Sequence, residues 1–300
     1  MRMVACDLDG TIVRADGTIS ARTVAALAAC EQVGVRVVFV TGRPPRWMPP
    51  VAEATGHRGL AVCGNGALVI DLADGGVVRA TGLEPEAVLE VAARLRPVLP
   101  GAAFALETLT GYRREPEFAP HHVAAREALA GELPDLLADR PLVIKVLCRQ
   151  EERPSAALGP GDRLPADDML RLARQVLDGV AEPVHSNPLG GLLEISAHGV
   201  SKSSALARLA EEWGVPAADV VAFGDMPNDV PMLRWAGRGY AMSGGHPEAV
   251  RAAGAVAPPC EEDGVAQVLE ALLAEKAGYR PADVAAEIPE DRPAGRYHPG

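Results

Sequence analysis

Met3-Val4-Ala5-Cys6-Asp7-Leu8-Asp9-Gly10-Thr11 is an apolar run that ends on two carboxylates and a turn. The run predicts a buried strand, and the ends of such strands are where α/β sheets gather their chemistry. Residues i and i+2 of a strand share a face, about 6 to 7 Å apart at a rise of about 3.3 Å per residue. Asp7 and Asp9 can therefore serve one centre in different roles. Gly10 and Thr11 turn the chain, and their backbone N–H groups could line a small anion nest. The competing account is a plain strand-ending turn, because Asp and Gly are common turn residues.

Three further segments supply what an Asp nucleophile would otherwise lack. Thr41-Gly42-Arg43 follows the apolar run Val37-Val38-Phe39-Val40, and Lys202 lies in Gly199-Val200-Ser201-Lys202-Ser203. Gly224-Asp225-Met226-Pro227-Asn228-Asp229 follows Val220-Val221-Ala222-Phe223. Together with the first stretch, and in this order, these segments resemble the four motifs of the haloacid dehalogenase (HAD)-like phosphohydrolases. About 160 residues separate Arg43 from Lys202, the room that the Cof-type subgroup (subfamily IIB) fills with an inserted cap. Gly64-Asn65-Gly66-Ala67 and the pattern Gly-Asp-x-x-Asn-Asp-x-x-Met-Leu from Gly224 to Leu233 are also similar to that subgroup. The resemblance covers roughly residues 1 to 275. Two positions depart from the usual wording, Ser203 where the subgroup often has Gly and Met226 where it often has a polar residue. Neither removes a catalytic group.

A phosphate ester is a reluctant electrophile, so its oxygens must be neutralised and its leaving group protonated. The resemblance implies that Asp7 attacks phosphorus to form an aspartyl-phosphate. It also implies that Asp9 protonates the leaving oxygen, activates the hydrolytic water and adds its backbone carbonyl to a metal site. A crowded carboxylate cluster raises the pKa of one member. Asp225 ends a second strand and can meet Asp7 at the same sheet edge, and two carboxylates with a phosphate oxygen suit Mg²⁺. Asn228 and Asp229 follow within a turn, either as helix N-caps or as substrate and metal partners. Lys202, opening a helix, would neutralise the phosphoryl group and hold Asp7. Thr41 offers a hydroxyl and an N–H, and Gly42 a close backbone approach. Arg43 could reach substrate, brace the cap or form a salt bridge, and Asn65 could donate to substrate or fill a left-handed turn.

Composition bounds the setting. With 300 residues and 48% hydrophobic content, the chain predicts one large or two modest domains. No run of 18 or more apolar residues and no charged-then-apolar leader precede the first strand, which leads us to expect a cytoplasmic protein with no membrane partner. Five cysteines without a C-x-x-C pattern predict reduced, buried thiols. A net charge of −11 disfavours nucleic acid, so a small phosphorylated metabolite would be bound by local cations. Monomer and homodimer are both compatible with the sequence.

The expected fold is α/β: a Rossmann-like HAD core with a parallel sheet, plus an inserted α+β cap of the C2B type. Strands are expected at 3–7, 35–40, 59–63 and 67–71, with helices at 20–33 and 44–55, Ser20 capping the first and Gly34 closing it. A turn signal at Asp71 to Gly76 precedes a change of pattern near Thr81 to Glu84. The segment beyond reads as helix 84–96, strand 102–108, helix 121–131, strand 142–148, helix 165–179 and strand 183–186, with a Pro- and Gly-rich loop at 151–164. From about 192 the first rhythm resumes, with strands at 192–195, 219–224, 238–242 and 255–257 and helices at 201–213, 228–236, 247–253 and 263–275. The expected domains are thus a discontinuous core of 1–83 and 190–275, a cap of 84–189, and a tail of 276–300 that carries four prolines.

Substrate specificity is expected from the cap. Lys145 interrupts the apolar strand Leu142-Val143-Ile144-Lys145-Val146-Leu147 and is the first candidate, with an ordinary sheet-face lysine as the alternative. Arg113, Arg114, His121, His122, His185 and Asn187 are the others. The resulting expectation is a Mg²⁺-dependent phosphohydrolase acting on a sugar phosphate, flavin mononucleotide or a pyridoxal-phosphate-like metabolite. Its rivals are a phosphotransferase or mutase on the same scaffold and a catalytically silent ligand-binding regulator.

Overall fold

A computed structural model describes residues 1–119, 128–150, 164–187, 191–277 and 292–293. In chain order the strands are β1 (Met3–Cys6), β2 (Thr18–Ile19), β3 (Arg36–Val40), β4 (Leu60–Cys63), β5 (Leu68–Asp71), β6 (Val77–Ala80), β7 (Ala102–Thr108) and β8 (Gly111–Arg114). They continue with β9 (Leu129–Ala130), β10 (Val143–Gln150), β11 (Ala181–Val184), β12 (Leu192–Ala197), β13 (Val220–Gly224), β14 (Arg238–Met242), β15 (Ala255–Ala257) and β16 (Arg292–Pro293). The α-helices are α1 (Ala21–Gln32), α2 (Pro49–Thr55), α3 (Pro85–Leu95), α4 (Leu133–Leu136), α5 (Ala166–Val176), α6 (Lys202–Glu212), α7 (Val230–Trp235), α8 (Pro247–Ala252) and α9 (Gly264–Ala277). Two compact units result, one built from Met1–Arg79 with Lys202–Tyr297, the other from Ala80–Ser201.

The first unit carries an eight-stranded sheet in the order β15-β14-β13-β1-β3-β4-β5-β6. From β15 to β4 every pairing is parallel, and β4 to β5 is antiparallel. Buried parallel strands read as unbroken apolar runs, and Met3, Val4, Ala5 and Cys6 are all fully buried. Alternation sends Met3 and Ala5 to one face, where they pack with Leu206 and Leu209 of α6 and Met232 and Leu233 of α7. On α1, Ser20 caps as expected, its hydroxyl accepting from the Thr23 N–H at 3.0 Å. Four cysteines are buried and Cys260 is only partly so.

The second unit carries a six-stranded sheet, β11-β12-β10-β7-β8-β9, antiparallel except between β8 and β9. One face is covered by α3 and α5, where Val88, Val91 and Leu95 meet Phe104, Val146, Cys148, Met169, Leu170 and Ile195. The alternate residues of β10 include Lys145 and Arg149. Lys145 donates to Glu194 of β12 at 2.6 Å, and Ser186 donates to the other Glu194 oxygen at 2.5 Å.

Several expectations need correction. Leu192–Ala197 does not open the return to the first unit, because it pairs antiparallel with β10 and β11. Its apolar run is equally suited to either sheet, and ladder pairing decides. The helix expected over 121–131 falls mostly outside the described residues, but its end is a strand: Leu129–Ala130 pairs parallel with Arg113–Arg114. Both residues are exposed, so no buried helical face favours a helix there. The helices expected at 44–55 and 228–236 each open with a 3₁₀ turn, Pro45–Trp47 and Pro227–Asp229. In the tail, α9 runs to Ala277 and Arg292–Pro293 pairs antiparallel with β2, while 278–291 and 294–300 lie outside the described residues. The loop at 151–164 lies outside them apart from Leu164. Among the described residues no helix is long and apolar enough to cross a membrane.

The Lys145–Glu194 pair is 4% and 1% exposed, so removing the cation strands a buried carboxylate. Lys145→Ala should lower stability by about 3 to 5 kcal/mol, the usual cost of breaking a buried pair, whereas Lys145→Met with Glu194→Leu should restore most of it. Urea denaturation measures both. A loss under about 1 kcal/mol for the single variant would show the pair to be solvated instead.

Candidate active site

Strand ends bring the site together in the first unit. Cys6 is in register with Phe223 on one side and Phe39 on the other, so the residues that follow β1, β13 and β3 emerge side by side. Asp7 continues the ladder, its N–H donating to the Phe223 carbonyl at 3.0 Å. Thr41 does the same on the next strand, donating to the Val62 carbonyl at 2.8 Å. Asp225 follows Gly224, the last residue of β13.

Lys202, the first residue of α6, reaches in from the other half of the unit. Its ammonium donates to Asp7 Oδ1 at 2.5 Å and to Asp229 Oδ1 at 2.7 Å. All three are buried, with exposures of 1% for Lys202, 6% for Asp7 and 0% for Asp229. The second Asp229 oxygen accepts from the backbone N–H groups of Asp225 and Met226, each at 3.0 Å. Asp229 therefore clamps both the lysine and the turn that carries Asp225. A Cβ on Gly224 would lie 2.4 Å from Asp229 Cγ, so glycine is what lets the strand end accept this carboxylate.

Electrostatics follow from one cation among several anions. Burial, then Asp229, raise Asp7 against the lowering effect of Lys202, and its pKa is pushed up to about 7. Burial and then the charges of Asp7 and Asp229 hold Asp225 well above the usual carboxylate range. For Lys202, burial works to lower the pKa, but the Asp229 and Asp7 carboxylates outweigh it and hold the ammonium above its ordinary range. The site holds more negative charge than its lysine can balance.

The donor set fits a hard cation. Oxygens of Asp7, Asp225 and Asp229 lie within 4.8 Å of one another. Asp225 Oδ1 is buried without a hydrogen-bond partner, whereas both Asp229 oxygens are engaged. A Cβ on Gly10 would stand 2.4 Å from Asp225 Oδ2, and Gly10 adopts φ +76°, so only glycine leaves that approach open. All-oxygen ligands with few carboxylates suit Mg²⁺.

The remaining expected residues divide into two groups. Arg43 is 2% exposed and is committed to Asp9, with Nε to Oδ2 at 2.9 Å and Nη2 to Oδ1 at 2.5 Å, so the fork binds the carboxylate through both oxygens. With the arginine buried, the pair is not a surface salt bridge. The Arg43 N–H donates to Thr41 Oγ1 at 3.0 Å, which folds Thr41-Gly42-Arg43 into a tight turn. Asn65 takes the left-handed conformation and also bonds Asn228, at 3.1 Å. Only an Asn between two glycines hinted at that contact; the Arg43–Asp9 pair had no sequence signal beyond opposite charge. Lys145 lies in the second unit, bound to Glu194. There Arg113 pairs with Asp139, and Arg114 donates to the carbonyls of Glu115, Pro116 and Phe118. His185 is buried beside Asp167, Asn187 is partly buried, and His121 and His122 lie outside the described residues.

Known proteins share this fold. Among solved structures, a phosphatase of the haloalkanoate (HAD) enzyme superfamily from Bacteroides thetaiotaomicron is similar at a TM-score of 0.71 and 19% identity, over 90% of this chain and 94% of its own. A HAD subclass IIB sugar phosphatase matches at a TM-score of 0.71 and 18% identity, over 91% and 99%. A haloacid dehalogenase-like hydrolase from B. subtilis matches at a TM-score of 0.72 and 20% identity, over 91% and 100%. These likenesses establish the fold. In sequence, the family profile of haloacid dehalogenase-like hydrolases matches residues 4–116 and 167–269, a span that includes Asp7, Asp9, Lys202, Asp225 and Asp229. On that match, the chain belongs to the haloacid dehalogenase-like hydrolases.

Proposed function

We propose that this protein is a Mg²⁺-dependent phosphohydrolase of the subclass IIB type, cleaving a small phosphorylated metabolite through an aspartyl-phosphate on Asp7. The observation that carries the reading is the buried Lys202 ammonium held between Asp7 and Asp229, beside the unpartnered Oδ1 of Asp225. Lys202 fixes the Asp7 carboxylate and leaves one of its oxygens for attack on phosphorus. Mg²⁺ held by Asp7, Asp225 and the backbone carbonyl of Asp9 would neutralise the phosphoryl oxygens and orient them. Asp229 acts mainly through Lys202 and the Asp225 turn. Thr41 and Gly42 supply a hydroxyl and a close backbone for the phosphoryl group.

Asp9 is the acid and base in this reading, and its bond to Arg43 sets the condition for that work. Both Asp9 carboxylate oxygens accept from the guanidinium. Donation of a proton to the leaving oxygen then requires Asp9 to leave the Arg43 fork. Arg43 is therefore a positioning residue in this scheme, and the fork's two-point hold fixes where Asp9 rests. Substrate identity is assigned to the second unit, and Lys145 enters as half of a pair with Glu194. The similar subclass IIB sugar phosphatase supports a sugar phosphate within the class, with flavin mononucleotide or a pyridoxal-phosphate-like ester as the other members to test.

A panel of phosphorylated metabolites and an aryl phosphate, assayed with and without Mg²⁺, tests the proposal. Hydrolysis should stop reversibly in chelator, and Asp7→Asn should lower kcat by at least about a hundredfold with the fold intact. Full activity in chelator, or Asp7→Asn turnover above about a hundredth of wild type, would refute it.

The raised carboxylates give a pH test. Asp7 and Asp225 bind protons more tightly folded than unfolded, so their contribution to stability falls as pH rises above about 4, the unfolded value, and for Asp7 it is lost through about 7. Cation binding needs both ionised and so releases protons. The rise in melting temperature on adding Mg²⁺ should therefore be larger at pH 8 than at pH 5.5, and Asp225→Asn should shrink it at pH 8. An equal rise at both pH values would contradict the assignment.

A further inference from the structure

Asn65 carries more than its turn requires. Gly64, Asn65 and Gly66 have successive positive φ values of 58°, 56° and 109°, a backbone that glycine alone would serve best. Asn65 is nonetheless 2% exposed, and its Oδ1 accepts from Asn228 Nδ2 at 3.1 Å. The backbone around it has a second task. The Asn65 N–H donates to the Thr41 carbonyl and the Gly64 N–H to the Arg43 carbonyl, each at 3.0 Å, so the turn grips both ends of Thr41-Gly42-Arg43.

The side-chain bond decides what Asn228 can offer. With Nδ2 given to Asn65, its Oδ1 is a buried acceptor with no hydrogen-bond partner. Asn228 lies three residues after Asp225, whose own Oδ1 is also buried and unpartnered. A carbonyl oxygen cannot bind a phosphoryl oxygen, since both only accept. It suits a donor, and water held on a cation is one. Groups that hold the ligands of a metal in place tune its affinity without touching it.

We propose that Asn65 is a positioning residue. It holds Asn228 with the amide carbonyl as the acceptor for cation-bound water near Asp225, and in this way it sets the affinity of the site for Mg²⁺. The inference rests on the phosphohydrolase reading for the cation and goes beyond it by giving Asn65 and Asn228 one shared task, in place of separate contacts to substrate.

Asn65→Gly keeps the left-handed backbone and removes only the side chain. Calorimetric titration of the full-length protein with Mg²⁺ alone should show binding about tenfold weaker than wild type, at the low end for loss of such a partner. With Mg²⁺ saturating, KM for an aryl phosphate should be unchanged, and raised Mg²⁺ should recover most of the lost turnover. Asn228→Ala should weaken Mg²⁺ binding to the same degree, and the double variant no further than either single, because the two act as one unit. Wild-type Mg²⁺ affinity in Asn65→Gly, losses that add across the pair, or a KM that rises with Mg²⁺ saturating would each overturn the inference. If Asn65→Gly is too unstable to titrate, Asn228→Ala decides alone: unchanged Mg²⁺ affinity overturns the proposal. A wild-type protein that takes up no Mg²⁺ in the same calorimeter would overturn the cation reading itself.

Discussion

One buried ammonium among three carboxylates is the constraint on which the site depends. Lys202 lies 2.5 Å from Asp7 and 2.7 Å from Asp229, and burial alone would expel such charges unless each were paired. The pairing is incomplete. Asp225 keeps an oxygen without a hydrogen-bond partner, and both Asp7 and Asp225 are driven toward protonation. A fold that buries surplus negative charge stores a demand for a further cation, and that demand links stability, pH and cation binding in one place.

Much of the surrounding architecture serves this arrangement. Asp7 and Lys202 are 195 residues apart in sequence, and adjacent parallel strands with a helix start bring them into contact. Gly10 and Gly224 leave room where a Cβ would collide with Asp225 or Asp229. Arg43 and the Gly64–Gly66 turn then fix Asp9 and the Thr41 loop from behind, through a two-point ion pair and two backbone bonds. The groups proposed to bind the phosphoryl group are thus held in place by paired residues, as preorganised sites require.

The sequence disclosed the parts of this that are local. Apolar runs ending in Asp7, Thr41 and Asp225 announced buried parallel strands, because such strands have no polar face to interrupt them. Ser20 announced its cap for an equally local reason. What stayed hidden depends on partners distant in the chain. Leu192–Ala197 has the same apolar pattern whichever sheet it joins, and only its pairing with β10 and β11 decides. The Lys145–Glu194 and Arg43–Asp9 pairs needed a knowledge of register that no spacing provides. Asp229 looked like a metal ligand or a helix cap, and the lysine that occupies it lies 27 residues upstream.

The central claim is that Asp7, positioned by Lys202, becomes the covalent carrier of the phosphoryl group. Rapid acid quench of the wild-type protein with a hydrolysed phosphomonoester, followed by peptide mass spectrometry, measures this directly. The account predicts a transient phosphoryl adduct on the peptide containing Asp7, absent from Asp7→Asn. Steady hydrolysis with no adduct on Asp7 at any quench time, or an adduct that persists in Asp7→Asn, would contradict it.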